Sequence, residues 1–149
     1  MQIAFAGTPV WLSDGSTTVL PVAGNAPAVH QAWRLHYRDV RHSLAGGFYQ
    51  GWDLHPAQLV SRYAALYSFF LEGIDAAGAR LRNFLAKAAQ ATLIGDVFDD
   101  AATGQGLLNF FLRGLNSGAI TEAEALELTG LTAEEFRGRS FTRIMRGRA

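Results

Sequence analysis

The histidine and carboxylate side chains are the candidates for chemistry in this chain, and their spacing limits what they can do. His55 stands in Gly51-Trp52-Asp53-Leu54-His55-Pro56-Ala57-Gln58. Alternation of Trp52 and Leu54 with Asp53 predicts a short buried strand over 51–55, and Pro56 predicts the first turn of a helix. The C-terminal end of a strand that feeds a helix is where α/β enzymes place their chemistry. His55 is therefore a candidate acid, base or ligand-binding group, although the same side chain could simply order the turn by hydrogen bonding. His30, His36 and His42 are six residues apart, about 600° around a helix, so they share no face and cannot chelate one metal. His36 reads as a core-edge histidine. With no cysteine there is neither a disulfide framework nor a thiolate metal site. Enolate chemistry needs several carboxylates converging on one cation, and the sequence shows no such cluster.

The elements that must position these groups follow from periodicity. Residues 2–6 and Thr17–Val22 are short β-like runs around an Asp14-Gly15-Ser16 turn, and Gly24–Pro27 reads as a loop. From Ala28 to about Ala45 the apolar period becomes helical, with Val29, Trp33, His36, Tyr37, Val40 and Leu44 on one face. After the 51–55 strand, Leu59, Tyr63, Leu66, Tyr67, Phe70 and Leu71 predict a second helix. Gly73 and Gly78 weaken that pattern, and a further helix is expected over roughly 77–90. Asp99 or Asp100 reads as an N-cap for a helix through Leu115. Thr121 with Glu124, and Thr132 with Glu135, fit capping boxes for two short final helices. The order is strand, helix, strand, helix, then a helical appendage.

At 149 residues, with 49% hydrophobic and 17% charged residues, the chain suits one ordinary soluble domain. No apolar run approaches the roughly 20 residues of a membrane-spanning helix, and the N-terminus lacks the basic flank of a signal peptide; a cytoplasmic location is expected. Zero net charge argues against a general polyanion binder. Two strands cannot close a parallel sheet, so the first half reads as the end of something larger.

The segment Gly51–Gln58 resembles the last barrel strand and His-Pro-x-Gln motif of the citrate lyase β-subunit/HpcH–HpaI aldolase superfamily of phosphoenolpyruvate/pyruvate barrels. Ser13-Asp14-Gly15 with the helix over 28–46 is similar to an upstream aspartate loop and helix of that family. Gly95-Asp96-Val97-Phe98-Asp99 is similar to a downstream motif. The resemblance spans roughly residues 1–115. It implies an α/β fold in which residues 1–75 are the last two strand–helix units of an incomplete (β/α)8 TIM-type barrel, with an α-helical extension over 76–149. It also implies a carbon–carbon lyase or aldolase acting on a keto-acid or acyl-CoA type carboxylate through a metal-bound enolate. In that picture Asp99 and His55 are catalytic candidates and Asp14 a substrate-binding one. The family's cation is magnesium; its Glu and Asp ligands have no counterparts here, so no metal is expected on this chain alone, and activity is not expected either.

Two other readings stand beside this one. Residues 120–146, with Gly130 in a turn and arginines beyond Phe136, have the look of a helix-turn-helix, although Glu134 and Glu135 would repel phosphates. The aromatic load exceeds what two strands can cover, which suggests an interaction module that joins a missing N-terminal barrel portion or copies of itself.

Overall fold

A computed structural model describes residues 10–22, 24–93 and 101–148. All regular elements among them are helical, which overturns the α/β expectation: the described residues form no strand, no sheet and no barrel end. The chain divides into two compact units, one through Phe69 and one from Phe70. The expected strand over 2–6 and the Gly95–Asp99 motif, Asp99 included, lie outside the described residues.

In the first unit, helix α1 spans Ala26–Ala45. Asn25 caps it by accepting a hydrogen bond from the Ala28 amide at 3.1 Å, satisfying one of the donors a helix start leaves open, and Pro27 sits in the first turn. Ala32, His36, Val40 and Leu44, spaced by four, are its buried stripe. Gly47, at φ +79°, takes the left-handed conformation that lets the chain leave the helix.

Residues 48–53 carry no regular structure, and among the described residues no neighbouring strand offers the ladder that a strand there would need. The side chains also face opposite to the predicted sense. Trp52 and Leu54 are 59% and 44% exposed, whereas the Asp53 side chain, at 18%, turns inward. Three residues of alternation were too few to specify a strand when the one charged member had buried partners waiting.

The His-Pro-Ala-Gln segment forms a single 3₁₀ turn, Pro56–Gln58, leading into helix α2, Leu59–Leu93. Its side chains act as caps. His55 Nδ1 accepts from the Ala57 amide at 3.1 Å. Gln58 Oε1 accepts from the Leu54 and His55 amides at 2.8 and 3.2 Å. The fully buried Gln58 then donates through Nε2 to the Thr17 carbonyl at 2.9 Å, pinning residues 10–20, which have no regular structure, onto the start of α2. Trp33 Nε1 donates to Ala57 O at 2.8 Å. Below this turn α1 packs on the first turns of α2 through Val40, Leu44 and Ala65, flanked by Tyr37, Tyr49, Leu66 and Phe69.

Helix α2 is continuous where two helices were expected. Gly73 and Gly78 do not break it; they admit neighbours. A Cβ at Gly78 would lie 3.0 Å from the Leu128 carbonyl oxygen, and one at Gly73 3.2 Å from the Phe110 ring. In the second unit the remaining helices are α3 (Ala101–Ser117), α4 (Glu122–Thr129), α5 (Ala133–Gly138) and α6 (Phe141–Arg148). Thr121 with Glu124 and Thr132 with Glu135 form reciprocal capping boxes. Leu81, Leu108, Phe111, Phe136, Phe141 and Ile144 make the core. Gln105 ties α3 to the start of α6, accepting from the Phe141 amide at 2.8 Å and donating to the Arg139 carbonyl at 3.2 Å.

Candidate functional site

A polar cleft of about 270 Å³ opens in the first unit between residues 14–17, α1 and residues 50–52, and Arg62 forms part of its wall. The wall is held by a chain of buried polar groups that the sequence does not place together. Arg62 donates to Asp53 through Nε at 3.0 Å and Nη2 at 2.7 Å, a forked geometry that fixes the guanidinium. Its Cζ would lie 2.8 Å from a Cβ at Gly51 and its Nη1 2.9 Å, so the guanidinium lies across bare backbone at the cleft.

His36 is 1% exposed. Its Nδ1 lies 2.8 Å from Ser61 Oγ, and Ser61 gives its own proton to the Gln58 carbonyl at 3.0 Å. The imidazole Nε2 lies 3.0 Å from Asp53 Oδ1, so the ring is held from both nitrogens, between Ser61 and Asp53. Burial, and after it the positive charge of Arg62, hold His36 below its ordinary pKa of 6.5, against the opposing pull of Asp53. The imidazole is therefore neutral at pH 7.

Ser61, His36 and Asp53 have the order of a hydrolase triad but not its chemistry. Ser61 is 3% exposed and its hydroxyl proton is already bound to Gln58 O, so no substrate carbonyl can reach a freed Oγ. The group is a buried positioning relay behind the cleft.

Of the residues predicted from sequence, Asp14 lines the cleft; both its carboxylate oxygens accept from Ser43 Oγ, at 2.7 and 2.8 Å. Asp39 joins it on the cleft wall, accepting from Thr17 Oγ1 at 2.6 Å. His55 is exposed and caps the 3₁₀ turn; it does not line the cleft. The structure thus brings Asp14 to the cleft with His36, Asp39 and Arg62, and leaves His55 at the helix start. Arg62, Asp53 and Ser61 are the side chains that sequence reasoning missed. The nine-residue spacing of Asp53 and Arg62 across a His-Pro helix start is the one local signal that could have paired them.

The divalent cation implied by the family resemblance does not fit the described residues. They contain no group of three His, Cys, Asp or Glu able to hold a metal ion, and the Asp14 and Asp39 carboxylates are engaged by hydroxyls. In the second unit, α5 is six residues long and opens on Glu134 and Glu135. Arg148 is spent on Glu135, through Nη2 at 2.7 Å, and on the Gly130 carbonyl at 3.0 Å. The hydrogen bond from Arg148 holds Glu135 below the usual carboxylate range. The turn therefore lacks the basic N-terminal face with which a recognition helix approaches a groove.

Among the described residues no helix is long and apolar enough to cross a membrane. Residues 1–144 match the model of a family described as a domain of unknown function, DUF6986, and the chain belongs to that family. No curated protein matches the chain, and no solved structure does.

Proposed function

We propose that this chain is the substrate-recognition portion of a cytoplasmic carbon–carbon lyase of the aldolase/citrate lyase kind, binding a small carboxylate without cleaving it unaided. The reading rests on one observation: Arg62, clamped by Asp53 and laid across Gly51, presents a fixed cation at the wall of a polar cleft. The same Gly51–Gln58 segment carries the resemblance to lyases of that kind. A clamped guanidinium loses little freedom on meeting a carboxylate, which favours it over a mobile lysine.

Asp14 and Asp39 on the same cleft disfavour a polyanion. A small monocarboxylate suits the mixture better: its carboxylate meets Arg62, while the Thr17 and Ser43 hydroxyls on the cleft already donate to Asp39 and Asp14. A volume of about 270 Å³ holds a molecule of a few carbons and excludes larger ligands from full enclosure.

Calorimetric titration with pyruvate and with glycolate tests this. Saturable binding is expected for at least one, and Arg62→Gln should weaken it by about 10- to 100-fold, the value of one charge-assisted hydrogen bond. Gly51→Ala, whose methyl group displaces the guanidinium, should do the same without removing the charge. Absence of saturable binding to either acid, or binding indifferent to both substitutions, would overturn the reading.

A further inference from the structure

Helix α2 opens with a stripe of apolar side chains that none of the described residues of its own unit covers. Leu59, Val60, Tyr63 and Tyr67 are 44%, 61%, 48% and 41% exposed, and Ala64 between them is exposed too. At 100° per residue these five fall within an arc of about 140°. The opposite arc carries the buried Ser61 and Ala65. An ordinary surface helix turns its polar side to water; here the side turned to water is apolar. The one charged residue between Leu59 and Tyr67, Arg62, is turned to Asp53, and Leu54, 44% exposed, extends the apolar surface onto the preceding turn.

We propose that this stripe is the interface of a symmetric homodimer, in which α2 of a second copy crosses the first with Tyr63 near the two-fold axis. Three features select a copy of the chain as the occupant. First, the shape suits self-packing. Leu59, Tyr63 and Tyr67 form a ridge with a spacing of four residues, and such ridges interdigitate with their own kind at about −50°. Centring on Tyr63 sets Leu59 of one copy opposite Tyr67 of the other, the self-complementarity a two-fold contact requires. Second, charge does not oppose the approach: the arc is uncharged and the net charge of the chain is zero.

Third, the area is sufficient. Half-exposed aromatic and aliphatic side chains leave roughly 80–100 Å² each. Five such side chains, with Ala64 and their backbone, give at most roughly 500–600 Å² per copy, or about 1,000–1,200 Å² in the pair, at the lower limit for a specific interface. The dimer is accordingly weak and reversible. The Tyr63 and Tyr67 rings already meet edge to face at 6.1 Å and present a preformed surface. This inference uses a different surface from the cleft and stands or falls apart from it.

Sedimentation velocity on the full chain from about 1 to 200 µM tests it, with dissociation expected in the micromolar range. Val60→Glu and Tyr63→Lys change exposed residues, so helicity by circular dichroism should hold. Each should shift dissociation at least tenfold toward monomer, while Tyr63→Phe leaves the dimer in place. A monomer at every concentration, or association that neither charged substitution weakens, would refute the homodimer. So would a chain that is monomeric alone and binds a different polypeptide through Val60 and Tyr63, since the stripe would then belong to that partner.

Discussion

Replacing Asp53 with alanine is the sharpest test of the buried relay. The substitution strips Arg62 of the carboxylate that accepts from its Nε and Nη2 and leaves a guanidinium in a wall where its side chain is only 14% exposed. Removing one partner of a fully buried ion pair costs about 3–5 kcal/mol, while an exposed pair is worth about 0.2–1. With side-chain exposures of 14% and 18%, the Asp53–Arg62 pair lies near the buried limit but within reach of water, and about 2–3 kcal/mol is expected. The three tryptophans, Trp11, Trp33 and Trp52, all lie in the first unit, so fluorescence during urea unfolding reports on that unit alone. At an m-value of about 1–3 kcal/mol/M the midpoint should fall by roughly 0.7–3 M. The double variant with Arg62→Ala should recover more than about 1 kcal/mol of the sum of the single losses, because the stranded charge is gone. A change below about 0.5 kcal/mol, the range of ordinary surface substitutions, would show that the pair does not hold the wall.

Because burial, and then Arg62, hold His36 below its ordinary pKa of 6.5, the unfolded chain takes up a proton that the folded chain refuses. Stability from this group is complete above 6.5 and is lost as pH falls from there toward the folded value. The tryptophan-monitored unfolding free energy should decline between about pH 7 and 5, and His36→Gln should flatten that decline. In the second unit, a methyl group at Gly104 would fall 2.5–2.6 Å from the ring of Phe141, so Gly104→Ala should cost about 1–3 kcal/mol by circular dichroism. Gly106→Ala, on the same helix with open space around it, should be neutral or stabilise by up to about 1 kcal/mol.

Local signals were legible where they were self-sufficient. The Thr121/Glu124 and Thr132/Glu135 boxes close within four residues, and both helices begin where those pairs place them. Helix α1 starts two residues before Ala28, because Asn25 supplies a cap and Pro27 fits the first turn. The long-range features were not legible. Asp53 looked like the outward member of a buried strand, yet its partners Arg62 and His36 draw it in, and Trp52 and Leu54 go out. Gly73 and Gly78 looked like weaknesses because sequence shows their lack of side chain and not the Phe110 ring and Leu128 carbonyl that use the space. At the cleft, Asp14 could be singled out from its turn, whereas Asp53, Ser61 and Arg62 acquire meaning only when α1 brings His36 to them.

Gln58 leaves evolution very little latitude. Its oxygen receives two amides at one end of the turn while its nitrogen grips a carbonyl 41 positions earlier. Glutamate has the reach but no hydrogen to give Thr17; asparagine has both functions but is one methylene short. The loop and the helix start are thus fastened by a single amide that no other natural side chain can duplicate, and neither can be remodelled without releasing the other.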